Sequence, residues 1–523
     1  MKRSAWMAAL VLLAASGISR IASAAAETDP RFDIWEYRVQ GNEQLGARAV
    51  ERAVYPYLGE ARSIDDVDKA RSALEEAYRN AGYPTVLVDI PEQDVNNGIV
   101  RLRVTEGKLG RVRVTGARYY ANSRILEQLP SAQSGKVLNG PQLQEELSTM
   151  AQRAPTRSIV PVIKAGRAPG TVDLELKVAD QLPVTASLSF NDRHSIDTEP
   201  LRLNGVVQYN NLWQRDHSLG LQYQTAPEDF DQISVLGATY LLRPQNSDNL
   251  YAFYAVRSDS DFVAAGEFGV LGKGNIVGFR SVTPLKAGDI LGPSSLTVGF
   301  DYKDFSDAIT VSEDDSLDTD IAYMIFNAAY SSSLAFAGGQ LGFDLGAALG
   351  IRGLFNERKE FEDKRFKGSP NFLLLNGGAR HTLPLSERWT LSTRLRGQLS
   401  DGPLIANEQM NAGGFASVRG YFEAEQLADI GAIANLELQY TGAGTPTSGW
   451  RGYAFADWAG LALREPLPAE QSRFELASMG LGFSFATSLG LSGTLEWAWP
   501  LHDAARTQGD EHRFLFNLLY EVQ

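Results

Sequence analysis

The spacing of apolar residues changes along the chain. Ala5 to Ile18 is a mainly apolar run, and from Phe32 to about Asp180 short alternating stretches are interrupted by stretches of helical spacing. From Val184 onward the period is two almost everywhere. There Leu219, Leu221 and Tyr223 oppose Gly220, Gln222 and Gln224, and Leu296, Val298, Phe300 and Tyr302 oppose Thr297, Gly299, Asp301 and Lys303. In Leu391 to Gln398 one face carries Ser392, Arg394, Arg396 and Gln398. Strands of about 9–11 residues, apolar on one face and polar on the other, suit a barrel with lipid outside and water inside. Roughly sixteen such segments can be counted between 184 and 522, an even number, as closed bacterial barrels require. Closure also removes exposed edges, the condition for strands to sit in lipid. A soluble sandwich or propeller fits less well, because the polar face recurs on nearly every strand and no blade-length period appears.

Residues 32 to 180 read as two small α+β modules. In the first, Asp33 to Val39 alternates and Ala47 to Leu58 is helical in composition. A second helix begins at Ser63, with Asp66 three residues on as in a capping box. Ile64, Val67, Leu74, Ala77, Tyr78 and Ala81 then recur at helical spacing until Gly82 and Pro84. Strands Thr85 to Ile90 and Gly98 to Thr105 follow. The same order repeats in Arg111 to Thr115, Ser123 to Leu129, a helix opening at Pro141, and strands Ile159 to Lys164 and Thr171 to Val178. An exposed strand edge beside a helix can take up an extended peptide by strand addition. Thr85, Val86, Leu87, Val88, Asp89 and Ile90 are the candidate edge in the first module, and Ile159 to Lys164 in the second; either strand could equally serve as a spacer.

The expected architecture is therefore a transmembrane antiparallel β-barrel of about 16 strands preceded by two small α+β domains. Its divisions are a first domain over 32–107, a second over 108–180 and a barrel over 184–523. Lys2-Arg3, the apolar run and the small residues Ala22-Ser23-Ala24 read as a secretory signal peptide over residues 1–24, the run being too short to span a bilayer. The chain has no Cys, which removes disulfides and thiolate metal sites, and a net charge of -14, which argues against a general nucleic-acid binder. No Walker A, G-x-S-x-G or H-E-x-x-H motif is present, and the five His residues are scattered. Neither an enzyme nor a cofactor is expected.

One stretch breaks the barrel pattern. From about Ser400 to Gly431 the alternation stops, and within this stretch lies Asn411-Ala412-Gly413-Gly414-Phe415-Ala416-Ser417-Val418-Arg419-Gly420-Tyr421. A connection this long with no pattern of its own is usually functional or disordered. The segments Glu313 to Asp320 and Glu357 to Lys367 read as charged, solvated loops.

With its signal peptide, tandem modules and barrel, the chain resembles the two-partner secretion transporters, the TpsB family of haemolysin secretion/activation proteins, whose modules are called POTRA domains. The most specific mark is Val418-Arg419-Gly420-Tyr421, matching that family's Val-Arg-Gly-Tyr signature in the long loop after strand eleven. The resemblance implies that this loop, 400–431, folds into the barrel and that its Arg meets the Asp of a Phe-x-Asp motif on the thirteenth strand. Phe455 and Asp457 supply that motif, with Gly460 three residues after the Asp where the family usually has Gly at two. Alternation supports the pairing: Tyr453, Phe455 and Asp457 share a face, and an Asp turned to lipid would be costly. An inward Asp beside aromatics calls for a cation, and Arg419 is the candidate. Only about eight residues separate the cleavage site from Asp33, so the N-terminal plug helix of many relatives is expected to be absent. The chain also ends in Gln523 rather than in the aromatic residue common to such barrels.

The resemblance implies an outer-membrane translocase with its POTRA domains in the periplasm, exporting a partner exoprotein that is unfolded in transit. Outer-membrane lipids and the barrel-assembly machinery would be further partners, and nucleic acid would not. The alternatives are a barrel-assembly insertase of the same superfamily and, further off, a passive diffusion porin with Arg394 and Arg396 lining its pore.

Overall fold

The computed structural model describes residues 31–522, apart from 96, 246, 261, 266–267, 286–291, 307, 313–314, 319, 443, 445–447 and 469. The proposed signal peptide and the terminal Gln523 lie outside the described residues.

Period-two segments become sixteen barrel strands among the described residues. They are β1 (Val184–Asn191), β2 (Arg202–Leu212), β3 (His217–Thr225), β4 (Ser234–Leu242), β5 (Leu250–Asp259), β6 (Gly274–Leu285), β7 (Ser294–Phe305) and β8 (Ile321–Phe336). The second half comprises β9 (Gly339–Gly350), β10 (Phe372–Pro384), β11 (Trp389–Ser400), β12 (Ile430–Thr441), β13 (Gly449–Ala462), β14 (Arg473–Ala486), β15 (Leu491–Pro500) and β16 (Arg513–Val522). Each pairs antiparallel with its neighbours in sequence, and β16 returns to β1 to close the ring. That closing seam has six registered residue pairs, from Asn517↔Asn191 to Val522↔Ala186, against fourteen between β13 and β14.

The faces follow the alternation. Leu219, Leu221 and Tyr223 of β3 and Leu296, Val298 and Phe300 of β7 lie exposed on the outside. On β13 the aromatic residues Tyr453 and Phe455 are buried with Asp457, whereas Trp458 is exposed. Glycines on β14 make room for those rings. A Cβ on Gly480 would lie 2.3 Å from the Phe455 ring, and one on Gly482 would lie 2.2 Å from that of Tyr453.

Two sequence expectations need correction. Glu357 to Lys367 is not simply a solvated loop: Arg358–Lys364 is a helix that buries Phe361 edge-on against Tyr323 of β8, at 5.5 Å between ring centroids. Part of the acidic segment 313–320 also belongs to a hairpin, in which Ala308–Ser312 pairs with Asp315–Asp318.

Residues 32–107 form a three-stranded sheet in the order Glu36–Gln40, Ile99–Glu106, Val86–Asp89. The helix Ile64–Asn80 buries Val67, Ala70, Leu74 and Tyr78, and its capping box joins Ser63 and Asp66. Buried Glu106 accepts hydrogen bonds at one carboxylate oxygen from the Glu43 and Gln44 amides (2.7 and 2.8 Å) and from the Tyr78 hydroxyl (2.9 Å), which offsets part of the cost of its burial. An additional strand, Gly59–Arg62, pairs with Phe32–Ile34.

A second three-stranded sheet has the order Lys108–Thr115, Thr171–Asp180, Arg157–Ala165, with helices Asn122–Glu127 and Gly140–Arg153. Residues 114–128, 148–160 and 177–180 belong to the same compact unit as the barrel. Within that unit the β2–β3 turn holds Trp213, Gln214 and Asp216 at positive φ. This sparsely populated backbone is fixed by Gln128 donating to Asp216 (3.0 Å) and by the Ala121 amide donating to Gln214 (2.9 Å).

Candidate functional site

Residues 401–429, between β11 and β12, make the inward loop. It is more structured than its sequence suggests, with a short 3-10 turn at Ala406–Glu408 and a ladder of Met410–Ala412 against Gln426–Ala428. Asp429, fully buried, ties the root together by accepting from the Leu404 amide (2.8 Å), the Gln409 amide group (2.9 Å) and the Arg464 amide (2.7 Å). Gly413 and Gly414 adopt φ of +104° and +97°, where a side chain would be strained, and their Cβ positions would strike the Phe422 carbonyl and the Glu423 carboxylate.

Arg419 is held by side chains from three strands. Its Nε and Nη2 donate to the two oxygens of Asp457 on β13, each at 2.7 Å, and its backbone amide donates to the same carboxylate at 3.1 Å. Nη1 donates to Glu437 of β12 (2.8 Å) and Glu496 of β15 (2.9 Å). The guanidinium also lies 3.6 Å from the centroid of the Phe455 ring. Asn435 donates to Asp457 (2.8 Å) and the Tyr453 hydroxyl to Glu496 (2.6 Å). One cation thus faces three carboxylates, and Arg419 and Asp457 are only 5 % and 3 % exposed. In so dry a place a bidentate pair is strong, and its separation would be costly.

The other signature residues have different tasks. Val418 is fully buried with Ala412, Tyr421, Ala459 and Leu461. Gly420, at φ +91°, packs against Pro500. Tyr421 donates its hydroxyl to the His502 carbonyl at 2.8 Å. Gly460 is not brought to this site: β13 continues through it without a bulge, so three residues after Asp457 it points outward, where a Cβ would meet the Trp458 ring at 2.7 Å. The inward position two residues after Asp457 is Ala459, fully buried beneath the loop. Gly460→Ala is accordingly expected to leave assembly unchanged, because the exposed indole can shift. Ala459→Leu should overpack the loop at about 1–3 kcal/mol; the temperature at which the folded band on gels converts to the unfolded one distinguishes the two.

Glu437, Glu496 and Asn435 were not singled out by the sequence, although all three stand on the polar phase of their strands. A comparable cluster on the opposite wall was also missed. Arg280 of β6 is bidentate to Asp301 of β7 at 2.7 Å for each bond, Asn327 of β8 donates to Asp301 at 3.0 Å, and the Tyr254 hydroxyl of β5 donates to it as well. Beside the loop tip a polar cavity of about 350 Å³ is lined by Arg380, Arg394 and Arg451 as well as Glu437 and Glu496.

In the first module Val86–Asp89 is an edge strand with Leu87 exposed, as the candidate peptide-accepting stretch Thr85 to Ile90 requires. Its edge is not bare, however: the Val88 amide donates to Glu75 of the adjacent helix at 3.1 Å. An incoming strand would have to displace that carboxylate.

A closed barrel with a polar interior, an ion-paired loop inside it and small α+β modules before it is the architecture of the POTRA-plus-barrel class. Residues 32–107 match the family model "POTRA domain, ShlB-type", and residues 295–485 match "Haemolysin secretion/activation protein ShlB/FhaC/HecB". The outer membrane transporter CdiB of Escherichia coli O6:K15:H31 (strain 536 / UPEC) is 27 % identical over 189 residues, 36 % of this chain and 32 % of the relative. The match thus spans about a third of that relative's length. CdiB of Dickeya dadantii (strain 3937) is 23 % identical over 433 residues, 79 % of this chain and 73 % of the relative. In fold, the solved structure of CdiB from Escherichia coli is similar, with a TM-score of 0.62 and 21 % identity over 97 % of this chain and 93 % of the other. In sequence and in fold the chain is thus similar to the TpsB family of two-partner secretion transporters. It resides in the outer membrane, with its N-terminal modules in the periplasm.

Proposed function

We propose that this chain is the translocase of a two-partner secretion pair, recognising an exoprotein at its periplasmic modules and passing it unfolded through the barrel to the surface. In this reading residues 1–24 are the signal peptide, 32–107 and 108–180 the POTRA domains, 184–523 the barrel and 400–431 the inward loop. The observation that carries it is Arg419 bound bidentately to Asp457 inside the lumen, a constraint that a passive diffusion pore does not need. The candidate strand Thr85 to Ile90 would receive the partner's extended segment. Outer-membrane lipids would surround the outward apolar belt, and the barrel-assembly machinery would insert the chain. The reading includes no catalytic step; folding of the partner outside the cell would supply the drive.

An insertase of the same superfamily is the second reading, favoured by the shared architecture but not by the match to the haemolysin secretion family over 295–485. Deleting the gene should remove one or a few large proteins from the medium and cell surface. A general loss of outer-membrane barrels would establish the insertase instead, and unchanged secretion together with unchanged barrel levels would refute both.

A further inference from the structure

The inward loop touches two walls of the barrel, and the two attachments are unequal. Residues 419 to 425 are held many times over. Beyond the three carboxylates on Arg419, Glu423 accepts from Arg193 just after β1 (3.0 Å), Phe422 lies beneath the Arg513 guanidinium of β16 (3.8 Å to the ring centroid), and Glu425 accepts from Thr507 (2.8 Å). The other attachment lies across the lumen. There Glu408 accepts from Lys303 of β7 at 2.6 Å and from the Tyr323 hydroxyl of β8 at 2.5 Å. Lys303 and Tyr323 are directly paired across the two strands, so they present one cation and one hydroxyl side by side. All three side chains are largely shielded from solvent, and Leu404 and Ile405 are buried next to them with Phe305 and Phe361.

We infer that Glu408 is the latch of the inward loop and Arg419 its fixed end. The charge balance supplies the asymmetry. Withdrawing Arg419 would leave Asp457, Glu437 and Glu496 facing one another without their cation, a like-charge cluster that strongly opposes release. Withdrawing Glu408 separates one carboxylate from one ammonium, and both can then be hydrated by lumenal water. Release of this end lets residues 405 to 408 leave the β7–β8 wall, with Leu404 and Gln409 still held at the root by Asp429, and a path opens along that side while the tip stays at β12–β15. Only the biological meaning of this latch rests on the proposed translocation; the latch itself can be measured without cargo.

The absence of Cys makes the test clean. An Ala406→Cys variant of the full chain, in outer membranes, reports exposure of the latch segment through its rate of reaction with a water-soluble maleimide. Adding Glu408→Gln or Lys303→Met should each raise that rate about tenfold by favouring local opening, and each should increase single-channel conductance in planar bilayers. The charge-exchanged pair Glu408→Lys with Lys303→Glu should restore slow labelling, which a purely steric role would not. Unchanged labelling in both single variants, failure of the exchanged pair to restore it, or an equal rise on Arg419→Ala would each overturn the inference. Loss of the secretion phenotype in the gene-deletion test would remove the translocase reading and leave the latch measurement standing.

Discussion

Arg419→Ala is expected to assemble into the outer membrane at normal abundance and to export little or none of its partner. The barrel should survive because its sixteen-strand ladder is continuous without the loop. The loop should lose its place because three carboxylates are left without a cation; removing one member of a buried pair costs on the order of 3–5 kcal/mol. Arg419→Lys should rescue poorly, since an ammonium cannot bond Asp457 through two parallel N–H groups while also reaching Glu437 and Glu496. The measurement is the ratio of secreted to cell-retained partner, alongside heat-modifiable migration of the barrel on gels. Wild-type export by the alanine variant would eliminate Arg419 from any role in transport.

Asp301→Ala should damage the barrel itself more than the loop. Asp301 takes both guanidinium bonds of Arg280, the Asn327 amide group and the Tyr254 hydroxyl, tying β5, β6, β7 and β8 together from inside. Removing it leaves the Arg280 guanidinium without its carboxylate, with only the Phe279 and Phe300 carbonyls to accept from it, again on the order of 3–5 kcal/mol, concentrated in four adjacent strands. The folded band on gels should therefore convert to the unfolded band at a lower temperature, and steady-state abundance should fall. Asp301→Asn, which keeps one acceptor oxygen, should fall between the two. An unaltered transition temperature in the alanine variant would show that the ladder alone carries the stability of this wall.

The sequence revealed the strands because one side of each meets lipid and the other water, which leaves an unbroken period of two. Asp457 was legible for the same reason: a carboxylate in phase with two aromatics cannot be turned outward without a large penalty. Gly460 was misplaced as the motif's glycine on residue type, although family spacing and alternation both mark position 459, and an odd offset from Asp457 puts it on the opposite face. Glu437 and Glu496 could not be recognised, since a polar residue on the inward phase is ordinary in a water-filled barrel and nothing local marks which of them meets a loop residue. The helix Arg358–Lys364 was hidden because all six of its residues besides Phe361 are charged and only that ring is committed to the interior. The ladder at Met410–Ala412 was too short to show any period.

The seam between β1 and β16 carries a consequence for how the protein is made. Its strands are separated by more than three hundred residues in sequence, and their pairing is the shortest in the ring. Glu423 and Phe422, from a loop rooted between β11 and β12, bond to Arg193 on one side of that seam and to Arg513 on the other. Closing the ring and seating the loop therefore reward each other, and a nascent barrel whose loop has not yet entered has less reason to close. Loop contacts through Glu423 and Phe422 should accordingly speed ring closure late in biogenesis without being required for it.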